Sequence, residues 1–310
     1  MIATVLWGAN NIYNLLTNDR ATLEHVRLKG KKLPGTEGEH NPLAPGDRVE
    51  VDGASAEPRI LRRIERTNTV VRWNRTRRRM QAVAANVDLL CLVASLRTPD
   101  YRPAFVDRVL VMAELQRLPV LVVLNKADLP APPRAEEHAA ALVAAGYQVL
   151  RTVATGAPQV ESLDPGIRSL ATATADLRSV FFGQSGVGKS SIINRLVPEA
   201  DLLTGEISHR YRRGRHTTTL ARQVIARGDR RIVIDTPGVR EFDLFGYAPA
   251  DIAWGFREFR PHVEGCRLRN CTHIHEPGCA VRAAVAAGTV PDTRYDSYRR
   301  MMTDFQGSLL

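Results

Sequence analysis

The chain has 310 residues, 44% hydrophobic and 25% charged, with a formal net charge of +10. This is a globular composition with room for two or three domains, and no run approaches the ~18 apolar residues of a transmembrane helix. The N-terminus, Met1-Ile2-Ala3-Thr4-Val5-Leu6-Trp7, lacks a basic region and a cleavage site, so a cytoplasmic protein without a signal peptide is expected.

A pI of about 9.9 suits a polyanionic partner. A membrane is not expected, because no basic amphipathic helix with an aromatic face stands out. Residues 1–75 offer short β-type runs at 4–7, 23–28, 48–51 and 59–64, separated by turns such as Leu33-Pro34-Gly35 and Ala44-Pro45-Gly46-Asp47. Short strands with frequent turns predict a small β-barrel of the OB type, a fold that often binds nucleic acid. A basic seam follows: Arg72, Arg75, Arg77, Arg78 and Arg79, with Trp73 among them. It reads either as an RNA-contacting segment or as a solvated linker.

From residue 85 the pattern alternates. Strands are expected at 87–94, 119–124, 148–150, 180–182, 223–226 and 231–234. Helices are expected at 105–115, 135–145, 160–170 and after 191. This predicts a doubly wound α/β domain with its ligand at the strand C-termini, spanning residues 76–245. Cys91 falls in an apolar strand and reads as an inert core residue. Residues 246–310 read as a mostly helical domain, with helices at 251–259, 280–287 and 293–305.

Three motifs lie in the α/β domain. Gly183-Gln184-Ser185-Gly186-Val187-Gly188-Lys189-Ser190, with Ser191 after it, is G-x-x-x-x-G-K-S between an apolar strand and a helix. The glycines let backbone N–H groups turn toward phosphate oxygens, Lys189 would reach the β and γ phosphates, and the Ser190 hydroxyl would bind Mg²⁺. Asn125-Lys126-Ala127-Asp128 is N-K-x-D at a strand end and looks like the guanine-specifying motif of GTPases. The Asp128 carboxylate would accept from guanine N1–H and the exocyclic amine; adenine would leave it unpaired. Asp235-Thr236-Pro237-Gly238 is D-x-x-G, with Asp235 toward Mg²⁺ and the Gly238 N–H toward the γ-phosphate.

Between the last two motifs lies Arg210-Tyr211-Arg212-Arg213-Gly214-Arg215-His216-Thr217-Thr218-Thr219. One of the three threonines, Thr218, is expected to close the Mg²⁺ shell. The position after the D-x-x-G glycine is Val239, which cannot orient a water, so His216 is the local candidate for that task. The order N-K-x-D, P-loop, D-x-x-G is that of a circularly permuted GTPase domain. Beyond it, Cys266-x4-Cys271-x-His273-x5-Cys279 has the make-up of a closed tetrahedral zinc site, with His275 as a rival ligand.

Taken together, N-K-A-D, G-Q-S-G-V-G-K-S-S, G-R-H-T-T-T, D-T-P-G and C-x4-C-T-H-x2-E-P-G-C-A-V resemble the RsgA/YjeQ family of circularly permuted GTPases. The resemblance spans nearly the whole chain. It implies an OB domain, a GTPase domain and a zinc domain. It further implies GTP hydrolysis stimulated by the small (30S) ribosomal subunit, with 16S rRNA as partner and a role in late subunit maturation. It puts GTP on Asn125, Lys126, Ala127, Asp128, residues 183–191, Asp235 and Gly238, favours His273 over His275 for zinc, and matches His216 to a catalytic switch histidine. Only Thr152-Val153-Ala154-Thr155-Gly156 remains of the loop that backs guanine in the family. A monomer is expected. The competing reading is a nucleotide-switched regulator that binds an acidic protein partner.

Overall fold

The computed structural model describes residues 1–30, 33–36, 39, 42–53, 57–74, 79–155, 164–200, 202, 221–226, 230–238, 244 and 247–307. Strands β1 (Ile2–Ala9), β2 (Ile12–Thr17), β3 (Thr22–Leu28), β4 (Arg48–Asp52) and β5 (Arg59–Arg63) form a closed barrel in the order β1-β2-β3-β5-β4. That connectivity is an OB-type barrel. Alternate residues point inward, so Val5, Leu15, Val26, Val49, Val51 and Ile60 fill its centre. Strand β2 is absent from the runs expected above. Its signal was present: Asn10 and Asn11 both hold positive φ, 51° and 62°, in a tight turn ahead of an alternating stretch.

The basic seam is not a linker. β6 (Thr69–Asn74) and β7 (Arg79–Ala85) pair antiparallel, so the division drawn at 75/76 falls between two paired strands. Arg75, Arg77 and Arg78 lie outside the described residues.

The central sheet has the order β10-β9-β8-β11-β13-β12, comprising β8 (Leu89–Ser95), β9 (Val120–Asn125), β10 (Gln148–Thr152), β11 (Arg178–Gly183), β12 (Arg222–Ile225) and β13 (Ile232–Asp235). All pairs are parallel except β12 with β13. Helices α1 (Pro103–Leu115), α2 (Pro133–Ala144), α3 (Pro165–Ala173) and α4 (Lys189–Leu196) cover both faces. The strands are therefore continuous apolar runs. Leu90, Leu92, Val122, Leu124, Val180 and Phe182 pack on the α1–α2 side. Cys91, Val93, Leu121, Val123 and Phe181 pack on the α3–α4 side.

The barrel docks at the N-terminal edge of this sheet. The Ala85 N–H donates to Pro45 O at 2.9 Å, Asn86 Nδ2 donates to Gly46 O at 2.9 Å, and Arg178 Nη1 donates to Asn86 O at 2.9 Å. Gly46 holds φ 91°, and a Cβ there would sit 2.1 Å from Ala85 O. The opposite end of the sheet is left for the ligand. The C-terminal helices α5 (Pro249–Trp254), α6 (Arg260–Val263), α7 (Ala280–Ala286) and α8 (Asp292–Gly307) pack against α1 and α2 around Phe256, Phe259 and Tyr298.

Candidate nucleotide and metal sites

Strands β8, β9, β10, β11 and β13 end side by side, and every described motif sits on one of those ends. The chain order is permuted, but the spatial order of strand ends brings N-K-A-D, P-loop and D-T-P-G together. Asn125 closes β9 and is 2% exposed. Its Nδ2 donates to Val187 O at 2.8 Å, and its Oδ1 accepts from Thr152 Oγ1 at 3.1 Å. One amide thus ties the P-loop to the ends of β9 and β10. The Ala127 N–H donates to Thr152 O at 3.1 Å, which sets the N-K-A-D turn and leaves Asp128 exposed. The sequence placed Thr152 only in the remnant of the guanine-backing loop; its tie to Asn125 and Ala127 was not read there.

Lys126 holds φ 61°. Its Nζ donates to Gly186 O at 2.9 Å and to Thr98 O. Thr98 belongs to the loop after β8, a second part of the site that no motif marked. Gly186 and Gly188 hold φ 82° and 95°, and a Cβ on Gly188 would sit 2.2 Å from Asn125 Nδ2. Only glycine fits there. Gly188 then opens α4, whose N-terminal N–H groups face the loop.

Lys189 is 7% exposed, and its Nζ donates to Gly183 O at 3.0 Å and Gln184 O at 2.9 Å. Burial pushes its ammonium down to about 8, against the attraction of Asp235. Burial likewise pushes the Asp235 carboxyl up to about 6, against the attraction of Lys189. Asp235 Oδ1 is buried and has no hydrogen-bond partner among the described residues. A sealed carboxylate oxygen without a donor fits a hard divalent cation or its water shell. Ser190 opens α4 beside Lys189. Thr236 Oγ1 donates to Phe181 O at 2.7 Å and fixes the D-T-P-G turn to β11. A Cβ on Gly238 would lie 2.5 Å from Ser185 Cα, so this turn rests directly on the P-loop backbone. His216, Thr218, the other switch threonines and Val239 lie outside the described residues.

In the C-terminal domain, one ligand atom each from Cys266, Cys271, His273 and Cys279 lies within 4.8 Å of the others. Cys266 Sγ and Cys279 Sγ are 3.9 Å apart, and each is 3.5 Å from His273 Nδ1. A tetrahedron with Zn–S of about 2.3 Å and Zn–N of about 2.05 Å has edges of about 3.8 and 3.6 Å; Cys266, Cys279 and His273 match those edges, and Cys271 Sγ lies within 4.8 Å of them. His275 is exposed and stands outside the set. Glu276 is a further residue that spacing did not reveal. Its carboxylate accepts from the Thr272 N–H at 2.8 Å, from Thr272 Oγ1, and from the Ile274 and His275 N–H groups at 3.2 Å. Burial works against its charge, but these donors win and hold it well below the usual carboxylate range. It shapes the turn that carries Cys271 and His273, as outer-shell groups of metal sites do.

A P-loop, a D-x-x-G turn and an N-K-x-D turn converging on one end of a doubly wound sheet define a GTPase, here a circularly permuted one. The RsgA GTPase family model matches residues 63–245, and the chain belongs to that family. It is 35% identical over 303 residues to the Borrelia recurrentis protein named small ribosomal subunit biogenesis GTPase RsgA, covering 97% of this chain and 94% of that one. It is 36% identical over 295 residues to the Chlorobaculum tepidum protein of the same name, covering 91% and 92%. The crystal structure of YjeQ from Thermotoga maritima matches with a TM-score of 0.74 at 25% identity, covering 99% of this chain and 98% of that one. Among the described residues no helix is long and apolar enough to cross a membrane.

Proposed function

We propose that this protein hydrolyses GTP in late maturation of the small (30S) ribosomal subunit, binding rRNA-containing particles that stimulate the hydrolysis. The observation that supports it most is the assembled site in a chain whose relatives, over nearly their whole length, are named small ribosomal subunit biogenesis GTPases. In this reading Asp128 pairs with the guanine edge, and Lys126 lies along the base. Residues 183–191 wrap the phosphates. Lys189 gives up its contacts to Gly183 O and Gln184 O for the β and γ phosphates. Mg²⁺ would be held by Ser190, a switch threonine (Thr218) and Asp235, and supplies charge neutralisation on the phosphates. His216 orients the attacking water. Cys266, Cys271, His273 and Cys279 hold one structural zinc. The barrel (1–75), the GTPase domain (76–245) and the zinc domain (246–310) act as one monomer, and the +10 charge favours the 16S rRNA backbone.

The test is GTP turnover with purified ribosomal subunits. Small subunits should raise turnover many-fold and large subunits should not. Equal stimulation by both, or by neither, would defeat the ribosomal reading and favour a switch for an acidic protein. His216→Ala should lower stimulated turnover while sparing GTP binding.

A further inference from the structure

A buried polar network runs between the guanine side of the GTPase domain and the C-terminal domain. Tyr101, just ahead of α1, places its hydroxyl 2.7 Å from His138 Nδ1 on α2. His138 Nε2 lies 2.9 Å from Asp107 Oδ1 on α1. Asp107 also accepts from Arg294 Nη1 on α8, and Arg294 Nε donates to Glu258 at 2.5 Å. Asp107, His138 and Arg294 are each 0% exposed. An ionised Asp107 can only accept, so His138 donates to it from Nε2, while Nδ1 shares a hydrogen bond with the Tyr101 hydroxyl.

Both ends of this network reach ligand loops. Tyr101 ends the loop that begins at Ser95, whose Oγ donates to Thr98 O at 2.9 Å. Thr98 O in turn accepts from Lys126 of the N-K-A-D turn. Arg97 Nη1 donates to Pro130 O at 3.2 Å, strapping the same loop to the approach to α2. At the other end, Tyr295 and Tyr298, neighbours of Arg294 on α8, donate to His273 O and Thr272 O in the turn of the Cys/His cluster. Removing Arg294 would leave the buried Asp107 carboxylate to the His138 and Ser297 hydrogen bonds, without its guanidinium partner from α8, at a cost to the packing of α8 on α1.

We infer that Tyr101, His138, Asp107 and Arg294 are positioning residues for the guanine loop, through which docking of the C-terminal domain sets how tightly guanine nucleotide is held. None of the four touches the nucleotide site; they act by fixing the Thr98 loop against Lys126. The inference rests on the reading that residues 125–128 hold guanine.

The test is release of N-methylanthraniloyl-GDP from the full chain, followed by stopped-flow fluorescence, in wild type, Tyr101→Phe, Arg294→Met and the double variant. Each single change should speed release about fivefold or more, the size expected of a coupling between sites. The double variant should be no faster than the faster single one, because both break one network. The defect should appear in KM for GTP rather than in kcat. Wild-type release from Tyr101→Phe would overturn the inference. So would fully multiplicative effects in the double variant. Arg294→Met removes a buried charge; if it does not fold, Tyr101→Phe, which keeps the ring and the charge pair, decides alone. A wild type that binds no guanine nucleotide would instead overturn the site reading.

Discussion

Asp235→Asn should stabilise the nucleotide-free protein while abolishing its response to Mg²⁺. The Asp235 carboxyl is raised from 3.8 to about 6 by burial, with Lys189 opposing. At about 1.4 kcal/mol per pH unit, ionised Asp235 costs the folded state about 3 kcal/mol. The folded state holds this proton more tightly than the unfolded chain does. The cost is therefore absent below about pH 3.8, grows as pH rises toward 6, and is complete above it. Asparagine carries no charge and removes the cost; the attraction to Lys189 is already contained in that net shift. Lys189 keeps Gly183 O and Gln184 O as partners, so it is not orphaned. The net gain at pH 7.5 is about 3 kcal/mol, or about 6 °C in Tm for a chain of this size. Thermal unfolding of both proteins, without nucleotide and with Mg²⁺ and GDP, at pH 7.5 and 4.5, measures it. The gap should be largest at pH 7.5 and shrink at pH 4.5, and Mg²⁺ should no longer add to GDP stabilisation in the variant. A variant that melts at or below the wild-type temperature at pH 7.5, or a gap that ignores pH, would refute the claim that this carboxylate is held in wait for a cation.

Asp128→Asn should move preference from GTP toward xanthosine triphosphate, by tenfold or more for about 1.4 kcal/mol per exchanged hydrogen bond; competition binding reads it, and unchanged guanine preference removes Asp128 from recognition. Thr152→Val leaves the Oδ1 of Asn125, a residue only 2% exposed, without its Thr152 donor, so GDP affinity or Tm should fall by the equivalent of about 1–3 kcal/mol, with Thr152→Ser restoring it. Cys271→Ser should lower bound zinc from one per chain, as counted by elemental analysis; a fully folded wild type with no zinc would end the assignment.

The motifs were legible because each is a short run whose chemistry depends on backbone shape: glycines at 186 and 188, an N-K-A-D turn, and a Cys/His cluster. The α/β alternation was legible for a similar reason, since parallel strands buried on both faces leave unbroken apolar runs. What escaped depends on partners far apart in the chain. Thr152 has meaning only beside Asn125, 27 residues away, and Thr98 only beside Lys126. Glu276 acts through backbone N–H groups, which leave no trace in residue type. The β6–β7 pair was hidden because its arginines break the alternation that marks a strand. Arg294 and Asp107, 187 residues apart, sit in helices where charged residues ordinarily face water.

The C-terminal domain has two attachments to the site. By chain, it follows β13 and the D-T-P-G turn, whose Gly238 rests on Ser185 of the P-loop. By packing, it lies on α1 and α2, the helices that follow β8 and β9 and flank the guanine side. In an unpermuted domain β13 would be followed in the chain by β8, and the attachment by chain would not exist. A nucleotide that moves the D-T-P-G turn can shift the domain only by its difference in affinity for the two arrangements. Opposing that shift is the pair Asp107–Arg294, whose separation would leave a buried charge at a cost of about 3–5 kcal/mol. A partner that lifts the C-terminal domain must therefore supply binding energy of that order, and in doing so it would loosen the guanine loop.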